Sequence, residues 1–262
     1  MDKTRRAARA AGSADPEDPG FPAHRAPACR TLAGLDAEVV ECRACPRLVA
    51  WREEVAAVKR AAFRDEEYWG RPVPGFGPSD AALAIVGLAP AAHGANRTGR
   101  MFTGDPSGDV LFAVLHEVGL ASRPESAHAG DGMRLRGVRM AAPVRCAPPQ
   151  NRPTPLERDT CRPWLAAELG LLGPGLRTVV VLGAFGWQAL FPVLESAGWS
   201  VPRPRPKFGH AVRVTLAGAA DGRGPLNVLG CYHPSRRNTA TGRLTRAMLA
   251  DVFREAARLS GL

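Results

Sequence analysis

Six cysteines lie at positions 29, 42, 45, 146, 161 and 231, and four of them have the spacing of a ligand set. Cys42 and Cys45 form a C-x-x-C beside a helical pattern, while Cys146 and Cys161 flank a proline-rich stretch, RCAPPQNRPTPLERDTC. Structural disulfides are rare in reducing compartments, and four thiolates on loops are what a metal centre takes. Zinc and an iron-sulfur cluster both accept such a set. One C-x-x-C with two widely separated partners leans towards iron-sulfur; the plain alternative is a redox C-x-x-C beside unrelated buried thiols. Cys29 and Cys231 stay outside the set, the first in a tail and the second in an apolar strand where a thiol packs as a small hydrophobe.

A second group of polar side chains follows an apolar run. Residues 82–88, ALAIVGL, are followed by Pro90, which cannot donate to a sheet ladder and turns the chain away. The loop behind it carries His93, Asn96, Arg97, Thr98, Arg100, Thr103 and Asp105. Ser107 or Asp105 then caps a helix whose apolar residues Val110, Leu111, Val114, Leu115 and Val118 fall at helical spacing. A later apolar run, LNVLGCY at 226–232, ends at His233-Pro234-Ser235. In open α/β sheets ligands bind outside the carboxyl ends of the strands, so the loop from 87 to 105 reads as an active-site wall.

The elements that must hold these groups are strands alternating with helices. Strands are expected at 82–88, 138–144, 178–182 and 226–232, with an edge strand at 210–216. A helix is expected from Leu35 through Cys42 and Cys45 to Val58, a second from Thr154 or Pro155 to Leu172, a third after Gly183, and a last one from Gly242 to Leu259. The pattern predicts an α/β fold with a mainly parallel sheet and helices on both faces. Residues 1–30, rich in Ala, Pro, Arg and Gly, are expected to be a disordered tail, with a single domain over 31–262. No apolar run is long enough to span a bilayer and no secretion signal precedes the domain, so a cytoplasmic protein is expected. The chain has 35 Lys and Arg against 25 Asp and Glu, a net +10, and most of the excess lies outside the tail. Basic surface of this kind suits a partner with a phosphate backbone.

Three features taken together, GLAPAAHGANRTGRMFTGD at 87–105, HPS at 233–235 and the four cysteines, resemble the iron-sulfur-containing family 5 (type B) of the uracil-DNA glycosylase superfamily. The resemblance covers about residues 36–258. It implies a three-layer α/β/α sandwich around a short parallel sheet, and an enzyme that flips a damaged base out of DNA and cuts its N-glycosidic bond. It also implies a structural 4Fe-4S cluster on Cys42, Cys45, Cys146 and Cys161. The expected substrate is DNA containing uracil, with hypoxanthine and other deaminated bases accepted as well. The expected enzyme is a monofunctional monomer that leaves an abasic site.

Carried onto this chain, the resemblance gives His233 the leaving base to stabilise and Phe102 the flipped base to stack on. The first motif, Gly87-Leu88-Ala89-Pro90-Ala91, has no acidic or amide side chain where most of the superfamily has one. Asp105 is then the expected water activator or cation stabiliser, with Asp109 a weaker alternate and Asn151 a further amide for base or water. Gly87, Leu88, Ala89, Phe102, Ser235 and Arg236 are the expected substrate-binding residues. Ala142 stands where related families have a base-reading asparagine, which implies relaxed base selectivity. The missing first-motif acid leaves one reading of another class, a non-catalytic iron-sulfur protein that binds DNA or senses redox state.

Overall fold

The computed structural model describes residues 15–218 and 223–262. Its centre is a five-stranded sheet in the order β2-β1-β3-β5-β4. These strands are β1 (Leu83–Val86), β2 (Val138–Ala141), β3 (Thr178–Leu182), β4 (Arg213–Leu216) and β5 (Leu226–Cys231). β2, β1, β3 and β5 run parallel, and the edge strand β4 pairs antiparallel with β5. β1, β2 and β3 are buried at every position, as expected of strands covered on both faces.

Nine helices flank the sheet among the described residues: α1 (Phe21–Arg25), α2 (Leu32–Glu41), α3 (Pro46–Val58), α4 (Ala95–Thr98), α5 (Pro106–Glu117), α6 (Pro155–Leu172), α7 (Ala184–Ser196), α8 (Arg236–Ala240) and α9 (Arg246–Ser260). Alternate strand residues feed two cores. Val86, Val179, Val181 and Val228 pack with α2, α6 and α7, whereas Ile85, Met140, Val180 and Leu229 pack with α5 and α9. The expected three-layer architecture is present.

Two local expectations need correction. The helix expected to run from Leu35 to Val58 is two helices, α2 and α3, with Cys42 extended and Cys45 at the N-cap of α3. Proline restricts the residue before it, so Pro46 opens a helix but expels Cys45 from one. The tail is ordered from Asp15 onwards: Phe21 is buried in α1 and meets Trp164 edge-on at 6.0 Å between centroids. One aromatic anchor outweighs a composition poor in large apolar residues. Residues 1–14 lie outside the described part.

A buried ionic network ties the layers together behind the site. Arg139 on β2 holds both oxygens of Asp36 at 2.8 Å and donates Nε to Glu168 at 2.7 Å, and Arg145 donates to the other Glu168 oxygen. Glu168 belongs to α6 and Asp36 to α2, so removing either carboxylate would leave a buried cation uncompensated.

Candidate active site

The carboxyl ends of β1, β3 and β5 open into a cavity of about 450 Å³. Leu88, Ala89, Phe102, Asp105, Asn151, His233 and Ser235 line it, residues from four separate stretches of the chain that the parallel crossovers bring together. Ala142 lines it too. Gly87 and Arg236 do not: Gly87 lies beneath the Phe102 ring, and Arg236 is the exposed first residue of α8.

Asp105 divides its carboxylate between two tasks. Oδ1 caps α5, accepting the Ser107 N–H at 2.9 Å and the Gly108 N–H at 3.1 Å. Among the described residues no backbone N–H engages Oδ2. Burial raises the pKa of the group above the usual 3.8, against the Gly108 and Ser107 N–H donors and the Ser107 hydroxyl, which favour the anion. Gly94 makes room for it, because a Cβ there would stand 2.3 Å from Oδ2.

His233 ends the strand side of the cavity. Neither ring nitrogen has a protein partner, and Nδ1 is fully buried. Burial alone lowers its pKa from 6.5 to about 4, so the ring is neutral at pH 7. Its backbone is fixed from behind: Ser235 caps α8, and the Asn238 side chain in α8 donates to the His233 carbonyl at 2.9 Å.

Three loop residues are strained. Phe102 has a left-handed backbone, φ 54°, and its ring lies 6.3 Å from the His233 ring at a 36° tilt. Gln150 and Asn151 are both left-handed at φ 55°, and Asn151, exposed at the surface, lines the cavity. Non-glycine residues held in this region cluster where geometry serves a ligand. Phe185, Phe208, Tyr232 and Arg243 complete the wall, with the Arg243 guanidinium stacked 4.6 Å from the Tyr232 ring centre. Phe208 is absent from the residues expected from the sequence; its place just before the expected edge strand at 210–216 is the available signal.

Behind this cavity the four predicted cysteines, Cys42, Cys45, Cys146 and Cys161, line a second one, with Leu48, Val144, Arg145 and Trp164 among its other walls. Cys29 and Cys231 do not reach it. Burial pushes the Cys45 and Cys146 thiols up to about 12 and raises Cys42 and Cys161 as well, so all four stay protonated unless a metal draws the proton off. Among the described residues no three Cys, His, Asp or Glu side chains converge on a single ion. Four thiols lining one cavity are a donor set that zinc and an iron-sulfur cluster both take. The Trp164 indole N–H beside them is buried with no acceptor beyond the Cys42 sulfur.

The sequence model of the Uracil DNA glycosylase superfamily matches residues 74–257. A type-5 uracil-DNA glycosylase of Mycobacterium tuberculosis is 56% identical over 232 residues, which is 88% of this chain and 83% of that protein. The type-5 uracil-DNA glycosylase of Thermus thermophilus is 53% identical over 84% of this chain and 94% of its own length. That of Pyrobaculum aerophilum is 44% identical over 85% of this chain and 91% of its own.

Proposed function

Because the chain belongs to the uracil DNA glycosylase superfamily, we propose that it is a monofunctional enzyme that hydrolyses the N-glycosidic bond of uracil in DNA and leaves an abasic site for base excision repair. The observation that carries the hydrolytic reading is the cavity that brings Asp105 and Asn151 together with a neutral His233 whose buried Nδ1 has no partner among the described residues.

A base flipped from the stack enters the cavity and lies against Phe102. Cleavage turns the base into an anion and the sugar into an oxocarbenium-like cation. Neutral His233 donates a hydrogen bond to the base oxygen as that charge develops, a role worth about 10²–10³ in rate for one such donor. It transfers no proton, since a ring with a pKa near 4 has none to spare at pH 7. Asp105 Oδ2 orients the attacking water and faces the cationic sugar, while Asn151 holds water or base. No lysine lines the cavity, which supports hydrolysis over a Schiff-base route.

The absence of an amide at Ala142 and the aromatic walls support acceptance of hypoxanthine and other deaminated bases. Arg236 and Arg237, exposed at the start of α8 and without an ion pair among the described residues, support phosphate contacts beside the flipped base. Cys42, Cys45, Cys146 and Cys161 would hold a structural 4Fe-4S cluster, whose chemistry is to cross-link the α2–α3 connection to the loop and helix after β2. A cytoplasmic monomer is the accompanying reading.

The test is a set of end-labelled duplexes carrying one uracil, one hypoxanthine or only normal bases, treated with hot alkali after incubation. Breaks at uracil that appear only after alkali support the proposal. Breaks before alkali would sink the monofunctional reading, and none at any base would favour the non-catalytic alternative.

A further inference from the structure

We infer that Arg145, Trp164 and Arg52 form a set of buried N–H donors built for an anionic iron-sulfur cluster on the four cysteines; this rests on the cluster reading above. The inference starts from groups that have no use otherwise. Arg52, Arg145 and Trp164 are 2%, 1% and 0% exposed. Yet Arg52 Nε and Arg145 Nε and Nη1 are buried without a hydrogen-bond partner, and the buried Trp164 indole N–H has no acceptor beyond the Cys42 sulfur beside it. A desolvated donor left unpaired is costly, and a native fold rarely keeps several together.

All of them gather at one place. Arg145 and Trp164 line the four-cysteine cavity. Arg52 Nη2 donates to the Cys42 carbonyl at 3.4 Å, which sets its guanidinium against the same cysteine. Arg145 spends one nitrogen on Glu168, and Arg52 spends its two terminal nitrogens on the Gly70 and Cys42 carbonyls. The neighbourhood therefore keeps surplus donors. Four thiolates around a cubane core form a net anion with sulfur acceptors on every side, which gives those donors partners. Donors to sulfur and nearby positive charge raise a cluster's reduction potential and slow its loss.

The experiment uses the full chain purified without oxygen. Iron and sulfide in equal, stoichiometric amounts establish the cluster; stoichiometric zinc, or a metal-free protein, would sink the cluster reading and this inference with it. On cluster-bearing protein, the iron-sulfur stretching bands of the resonance Raman spectrum should move on transfer to deuterium oxide, and Trp164→Phe should remove part of that movement and lower the reduction potential. Arg145→Met should speed chelator-driven cluster loss at least tenfold yet leave the metal-free protein melting at or above the wild-type temperature, with Arg145→Lys in between. A role confined to the Glu168 ion pair would instead lower the melting temperature of both forms. Bands indifferent to deuterium in wild-type protein, or variants that hold the cluster as long as wild type, would overturn the inference while leaving the cluster in place.

Discussion

The two cavities share a thin apolar wall and are built on opposite plans. Ala89 and Phe185, which face the base cavity, pack against Leu48, Val144, Cys45 and Cys146 of the cysteine cavity. On the base side the chain is strained at Phe102 and Asn151, and polar groups stand open to a visitor. On the cysteine side the ligands are closed in by α1, α3 and α6, and the unpaired donors point to a permanent resident. The contrast teaches how to tell an exchangeable ligand's site from a fixed one: both leave polar groups unmatched, but the first sets them among strained loops and the second encloses them between helices.

The sharpest way to break this comparison is Asp105→Asn. Asparagine still accepts the two cap hydrogen bonds, so melting temperature and cluster colour should hold while base release falls by about 10³. Loss of the fold instead would make Asp105 a cap and nothing more. In wild-type protein the acid limb of the rate profile should lie above the ordinary carboxylate range, because burial raises Asp105.

Next in size is His233→Ala, expected to lower base release about 10²-fold. The rate should show no limb near pH 6.5, because His233 titrates near 4. The same shift sets a sign for stability: a histidine with a folded value below its unfolded one favours the fold at higher pH and loses that contribution as pH falls from 6.5 towards 4. A rate limb at 6.5 that disappears in the variant would overturn the neutral-donor role.

Gly94→Ala probes placement alone. A methyl 2.3 Å from Asp105 Oδ2 must displace it, and base release should drop about tenfold or more with folding intact. Cys161→Ser crosses the wall from the other side. It should abolish the brown colour and lower the melting temperature by several degrees, while each folded molecule keeps base release within about tenfold. The smallest effect is expected of Arg236→Ala, a few-fold weaker DNA binding with the salt slope reduced by about 1.

Much of this plan was legible in the sequence. β3 falls at 178–182 as expected, and the cap of α5 and the strand ending at His233 were visible because local patterns specify strands, caps and turns. The set of four cysteines was visible from spacing, and the joint cavity places them together. What could not be read depends on distant partners. Phe208 and Arg243 reach the cavity only through packing on Tyr232. Phe21 orders its segment only because Trp164 lies more than a hundred residues away in sequence. The break between α2 and α3 was readable from Pro46, but the apolar periodicity on both sides conceals it.

The division of labour within Asp105 has a stereochemical consequence. A carboxylate with one oxygen bound to the first turn of α5 cannot swing round, so it has a fixed handedness relative to the sugar. Water guided by the remaining oxygen reaches the anomeric carbon from a single face. The abasic sugar should therefore leave the enzyme as one anomer and equilibrate only afterwards, and the start of a helix would have chosen which.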